Sequence, residues 1–187
     1  MSNKKYEMTG ETKVVFGVTL KQIRALASFG AVVKGEIGGW IEGKNNLQVS
    51  GNAWVSGNAW VFGNAWVSGN AWVSGNARVF GSAQVSGNAR VFGSAQVSGS
   101  AQVSGNAQVS GNADFFLTGP LGSRRSFLTI HADAKLGIRF TTGCFSGTEY
   151  QFKEAIQKTH GGNDYAKQYR AAIDLALMVV KPAKAPA

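Results

Sequence analysis

Two short stretches near the C-terminal end hold the side chains best suited to chemistry. In the first, the turn-forming run Gly119-Pro120-Leu121-Gly122-Ser123 leads directly into Arg124 and Arg125. Guanidinium forks offer paired N–H groups that match phosphate or carboxylate oxygens. In the second, Gly143-Cys144-Phe145-Ser146-Gly147-Thr148 reads as a small-residue loop that opens a helix. A helix start presents free backbone N–H groups and the positive end of the helix dipole, a ready anion site. Thr129 and Arg139 belong to strands expected between the two loops and could face the same cleft, and His160 closes the expected helix. If the loops meet, they form a pocket for a phosphorylated small molecule or a nucleotide. Neither loop matches the P-loop pattern or the dinucleotide fingerprint.

Covalent and metal chemistry have less to stand on. Cys144 at a helix start would have a lowered pKa and could act as a nucleophile. A lone Cys between Gly and Phe is more often a small apolar filler, which is the reading adopted here. His131 falls at a strand end with no partner visible in the sequence. Two His and one Cys cannot build a three-histidine or multi-cysteine metal site, nor an intrachain disulfide. No catalytic residue, metal or cofactor is therefore assigned.

The elements expected to carry these residues form a small α+β domain over 115–181. Phe115-Phe116-Leu117 reads as a strand, Thr118–Ser123 as a turn, and Arg125–His131 and Leu136–Thr142 as two further strands joined at 132–135. A capping box, Thr148 with Gln151 or Ser146 with Glu149, starts a helix that turns Phe152, Ala155 and Ile156 inward and stops at Gly161-Gly162. A second helix begins near Asp164, with Tyr165, Tyr169, Ala172, Ile173, Ala176, Leu177 and Val180 along one stripe. Pro182 ends it, and 182–187 is expected to be a disordered tail.

A different order rules the middle of the chain. Val recurs at every sixth position from Val49 to Val109; Gly follows each by two places, and Ala by four. Ala and Val, two apart, point to one face of an extended segment. The residue between them (Trp, Arg or Gln) and the Ser or Phe after Val point to the other. Gly-Asn or Gly-Ser then turns the corner. Three units make one triangular coil of 18 residues, so 49–114 is expected to be a hexapeptide solenoid. The spacing resembles the left-handed parallel β-helix family. That resemblance implies a mainly β fold, a left-handed parallel β-helix; 1–48 is expected as an N-terminal capping segment, since solenoid ends must be covered.

Residues 18 apart stack in columns. Trp54, Trp72 and Arg90 share one, Trp60 and Arg78 another, and Trp66 heads the third; Phe62 and Phe80 form a column beside Trp60, and Phe92 stands two places past Arg90. Exposed aromatic area of this extent marks an interface. Either the N-terminal segment folds over these faces, or several chains pack their prisms side by side. The second is expected for at least one face, as a homotrimer, because hexapeptide β-helices resemble a group dominated by homotrimers. A base-stacking platform is the third reading.

Composition narrows the partners. The 187 residues carry a net charge of +9, yet 49–114 holds only Arg78, Arg90 and Asp114, so an extended nucleic-acid rail is not expected. No run of about 18 apolar residues reads as a membrane span, and the first residues lack a signal-peptide stretch. In 1–48, Thr12–Leu20 reads as a strand, Leu20–Ala27 as strand or short helix, and Gly35, Gly38 and Gly39 as turns entering the first coil.

The whole chain also resembles phage and prophage proteins carrying hexapeptide repeats, often labelled polymer-forming. The likeness rests on Ile23-Arg24-Ala25-Leu26, Phe29-Gly30, Gly38-Gly39-Trp40-Ile41-Glu42 and Asn46-Leu47, leading into Gly-Asn-Ala-Trp-Val repeats. At the other end it rests on Gly-Pro-Leu-Gly-Ser-Arg, Gly-Cys-Phe-Ser-Gly-Thr and His160-Gly161. It implies a phage accessory protein in the cytoplasm of a bacterial host and carries no established activity. The expected function is counter-defence by a non-enzymatic homo-oligomer that sequesters a nucleotide-like anion through its C-terminal domain. Direct inhibition of a host defence protein, hexapeptide-type acyl transfer and filament formation are the alternatives. Against acyl transfer, 49–113 is unbroken and contains no His.

Overall fold

The computed structural model describes residues 4–111 and 114–183. Two strands, β1 (Tyr6–Val15) and β2 (Val18–Ala25), form a hairpin, and β3 (Ile37–Ile41) runs antiparallel to β2. Thr12–Leu20 is thus not one strand. Phe16 at φ 51° and Gly17 at φ 77° reverse the chain between the paired Val15 and Val18, a two-residue turn with both central residues left-handed. The open choice over Leu20–Ala27 resolves as strand. Gly38 and Gly39 are not turn residues either: both are buried inside β3. A Cβ on Gly38 would stand 2.6 Å from Ile23 Cγ1 and 2.7 Å from Trp54 Cζ2. Glycine is there to let the cap approach the first coil.

The lattice forms ten two-residue strands: Trp54–Val55 (β4), Trp60–Val61 (β5), Trp66–Val67 (β6), Trp72–Val73 (β7), Arg78–Val79 (β8), Gln84–Val85 (β9), Arg90–Val91 (β10), Gln96–Val97 (β11), Gln102–Val103 (β12) and Gln108–Val109 (β13). They stack in parallel as three faces, β4-β7-β10-β13, β6-β9-β12, and β5-β8-β11, the last extended by β3, β2 and β1. The fold is a parallel β-solenoid. Every lattice Val from Val55 to Val109 and every Ala from Ala53 to Ala107 is fully buried in one continuous core. Only the glycine of each corner takes the left-handed conformation, from Gly51 to Gly105 at φ 62–72°. The corner asparagines instead build a ladder: the Asn52 amide donates to Asn70 Oδ1 at 3.0 Å, and Asn70 to Asn88 at 3.1 Å. Ala113 lies outside the described residues.

Beyond the coils come β14 (Phe115–Leu121), β15 (Ser126–Asp133), β16 (Gly137–Thr142) and β17 (Phe145–Gly147), a four-stranded antiparallel sheet in chain order. The first turn therefore falls at Gly122–Arg125 rather than 118–123, and β17 occupies part of what reads as loop. Helices α1 (Glu149–His160) and α2 (Asp164–Val179) cover one side of this sheet. Phe152 and Ile156 of α1 pack with Tyr169, Ala172, Ile173 and Ala176 of α2 on Leu128, Ile130 and Phe140. Tyr165 and Leu177 are partly exposed and stand outside this core, and Ala166 takes the inward place in the first turn of α2. Of the expected tail, Pro182 and Ala183 are among the described residues, Ala183 N–H donating to the Gly137 carbonyl at 3.2 Å; 184–187 lie outside them. No described helix is long and apolar enough to cross a membrane.

Both ends of the solenoid are closed by side chains that take the place of a missing coil. At the first coil, Lys5 Nζ donates to the carbonyls of Ala53 (2.5 Å) and Gln48 (3.2 Å), Tyr6 Oη to Leu47 (3.0 Å), and Asn46 Nδ2 to Gly63 and Ala65 (2.9 Å each). Burial lowers the Lys5 pKa to about 8 and raises that of Tyr6 to about 12. At the last coil, Thr129, His131 and Asp133 alternate along β15 and accept the N–H groups of Gln102, Ser104 and Asn106. An exposed solenoid end would leave such groups as a template for further strands.

Candidate functional site

The Ser123–Arg124 turn and the Gly143–Cys144 turn meet over one cavity of about 250 Å³. It is lined further by Ser126, Thr142, Phe145, Phe152, Ala155, Ile156, Thr159, His160 and Tyr169. Five of the residues singled out from sequence therefore come together: Ser123, Arg124, Gly143, Cys144 and His160. The turn that holds Arg124 is shaped by its neighbours. Gly122 at φ 68° is pressed so closely on Tyr169 that a Cβ would stand 2.4 Å from its Oη, and Gly122 N–H donates to Gln168 Oε1 at 3.1 Å. Arg125 takes φ 48° and donates its N–H to the Gly122 carbonyl at 3.1 Å, so it closes the turn from outside the cavity.

The lining has one permanent cation, Arg124, and no carboxylate. Arg124 Nη1 stands 4.0 Å from the exposed Cys144 thiol and makes no ion pair among the described residues. The floor is aromatic. Phe145 and Phe152 lie 5.0 Å apart, Phe152 meets Tyr169 edge-on at 5.5 Å, and His160 stacks on Tyr169 at 5.9 Å with a 27° tilt. Burial raises the pKa of the Tyr169 hydroxyl, against the opposing pull of the Thr142 hydroxyl and the Arg124 charge.

The other expected residues stand elsewhere. Gly119 is within β14, packed on the Ser126 carbonyl. Thr129 and Arg139 face the solenoid instead of the cavity. Thr129 Oγ1 accepts Gln102 N–H at 2.9 Å; Arg139 pairs with Asp133 at 2.8 Å, reaches Ser146 Oγ at 3.0 Å and lies against Gly105. Strand alternation explains this, since Thr129 and Arg139 oppose the core side chains of Leu128, Ile130 and Phe140. The start of α1 does not open on the cavity. Thr148 Oγ1 accepts Gln151 N–H while Gln151 Oε1 accepts Thr148 N–H, the capping box read from sequence, and Glu149 adds negative charge there. Gly147 is buried beneath Gln151, and Thr148 borders a separate hollow with Leu136, Lys153 and Pro182. It is one flank of α1, down to its last turn, that lines the cavity. Phe152, Ala155, Ile156 and Thr159 continue one i, i+3, i+4, i+7 stripe, so Thr159 was within reach of sequence reasoning. Tyr169 read only as core.

The aromatic columns divide. Trp54 is no surface residue: it is fully buried under Phe29, 5.5 Å away edge-on, where the N-terminal segment folds across it. The hairpin covers part of the next column, with Lys13 Nζ over the rings of Trp40 (4.2 Å) and Trp60 (4.8 Å), Phe16 edge-on to Trp60, and Arg78 over Trp60 from the following coil. Trp72 is half-buried and donates Nε1–H to Ser56 Oγ. Phe62 and Phe80 stack at 5.2 Å. Trp66 (43% exposed) and Phe92 (37%) stay open, with Arg90 between Trp72 and Phe92 at a shallow groove.

No curated protein matches the chain. The family model of the YdcK β-solenoid repeat matches residues 47–63, 71–85 and 83–99, all within the cap junction and coils and none in the domain that holds the cavity. The chain is thus similar to the YdcK repeat along its solenoid, and it is a repeat-based β-solenoid protein.

Proposed function

We propose that the protein is a non-catalytic binding protein that captures a small, nucleotide-like or otherwise phosphorylated anion in the Arg124 cavity, with the solenoid as a rigid scaffold. One observation carries the reading: two turns 20 residues apart bring a guanidinium with no ion pair among the described residues to an aromatic cavity whose lining has no carboxylate. An anion entering there meets attraction without competition from an internal acid. Trp66 and Phe92, left open by the N-terminal segment, support a homotrimer packed along the solenoid, which would present three cavities. The resemblance of both chain ends to phage accessory proteins extends the reading to sequestration in counter-defence inside a bacterial host. The closed ends of the solenoid argue against the filament alternative.

Titration calorimetry of the full chain with linear and cyclic nucleotides, on wild type and Arg124→Ala, tests the capture. Saturable binding that weakens at least tenfold in the variant supports it. Absence of binding to every anion, or equal binding by the variant, would overturn it. Light scattering reads the assembly, for which a monomer would reject the trimer.

A further inference from the structure

Resting on that reading, we infer that the cavity selects a planar heteroaromatic ring bearing a single phosphate, the nucleoside monophosphate class, over di- and triphosphates. Charge sets the first limit. Arg124 is the one guanidinium in the lining, and its fork serves one tetrahedral anion; a polyphosphate chain would leave further charges without a partner.

The flank of α1 sets the second. Its stripe of Phe152, Ala155, Ile156 and Thr159 brings no charge to the cavity, whose permanent cation stands on the Ser123–Arg124 turn. The phosphate is then held at the Arg124 and Ser123 side, and an uncharged portion of the ligand lies against the helix flank.

The walls identify that portion. His160 lies nearly parallel to Tyr169, with Phe145 and Phe152 beside them, and flat rings pack on such surfaces by offset or edge-on stacking. Ser126, Thr142 and Thr159 supply hydroxyls that can donate to or accept from ring nitrogens, exocyclic groups or a ribose. A volume of about 250 Å³ falls just below the usual range of ligand pockets and leaves no space for a second nucleotide.

The test is calorimetry of the full chain with the four ribonucleoside monophosphates, their triphosphates, the unphosphorylated nucleosides and inorganic phosphate. The expected result is that at least one monophosphate binds tenfold or more tighter than its own triphosphate, its nucleoside and inorganic phosphate. Thr159→Val is expected to alter the ranking among bases, with an unchanged circular dichroism spectrum. A triphosphate binding as tightly as the monophosphate, with the Arg124 dependence retained, would overturn the single-phosphate assignment while leaving anion capture standing. Inorganic phosphate binding as tightly as any nucleotide would overturn the ring assignment. Loss of all anion binding would sink the underlying reading as well.

Discussion

His131 ends the solenoid at Ser104: the imidazole Nε2 takes the Ser104 N–H at 3.5 Å while Nδ1 lies 3.1 Å from the Ala132 carbonyl. This pattern needs the neutral ring with its proton on Nδ1, because a protonated Nε2 has no lone pair to offer. Burial, opposed by the Ala132 carbonyl and Asp133 and assisted by the Arg139 charge, lowers the His131 pKa from 6.5 to about 4. Asp133 beside it accepts from Asn106, Lys135, Leu136 and Arg139. Burial alone would raise its pKa, and the Arg139 and backbone donors outweigh that and hold it below the usual carboxylate value.

The linkage predicts an acid-sensitive cap. The unfolded His131 protonates as pH falls through 6.5 and the folded one resists until about 4, so stability is full above pH 6.5 and declines between the two values. The loss from this group is on the order of 3 kcal/mol. Asp133 adds a further loss as pH falls below the unfolded carboxylate value toward its depressed folded one. Thermal melts of wild type and His131→Gln between pH 7 and 4 check this. The variant, which keeps an acceptor but cannot titrate, is expected to show a shallower decline.

Lys5→Met is expected to destabilise the first coil by about 1–3 kcal/mol, since the Ala53 and Gln48 carbonyls lose their donor. Its titration runs to the alkaline side. The buried ammonium is the costly form, so above pH 8 the wild type gains relative to the variant until the unfolded lysine also deprotonates near 10.5. Urea midpoints at pH 7.5 and 10 measure both effects.

Trp54→Gln and Trp66→Gln separate covered from open columns. The first removes a fully buried ring from beneath Phe29 and is expected to cost about 3–5 kcal/mol. The second places at Trp66 the residue already present below it at Gln84 and Gln102, and monomer stability should stay within about 0.5 kcal/mol. Chemical denaturation of both, at protein concentrations low enough to dissociate any oligomer, distinguishes them.

Gly38→Ala should be among the most damaging small substitutions. Its Cβ has no space between Ile23, Trp54 and the Val55 carbonyl, 2.6–2.8 Å away. Overpacking of this kind costs about 1–3 kcal/mol. A lowered melting temperature with unchanged far-ultraviolet dichroism at 20 °C is the expected outcome.

Deleting 76–93 removes one coil of 18 residues and joins Gly75 to Ser94 in lattice register. The N-terminal cap meets coils that remain, and the C-terminal cap reads the last coil through backbone N–H groups of Gln102, Ser104 and Asn106. The shortened chain should fold cooperatively, and small-angle scattering should show a long axis shorter by about 4.8 Å.

How far the sequence reached depended on range. The solenoid was legible because from Val55 onward every sixth Val and its partner Ala state a local rule that each coil repeats, so register, corner glycine and inward face follow from spacing; Val49, ahead of the first lattice strand, has the spacing but is half-exposed. The capping box at Thr148 and Gln151 and the α1 stripe were legible for the same reason. What required the tertiary structure were contacts between residues distant in the chain. Phe29 covers Trp54, so a column that looks exposed on the prism is core. Strand alternation in β15 and β16 turns Thr129, His131, Asp133 and Arg139 to the last coil rather than the cavity. The cavity itself arises because the 122–125 turn and the 143–144 turn close on the flank of α1 rather than on its start, where the anion-binding motif was expected. Periodicity determines which way a side chain faces within its own element; which neighbour then occupies that side is decided only by the packing of the whole chain.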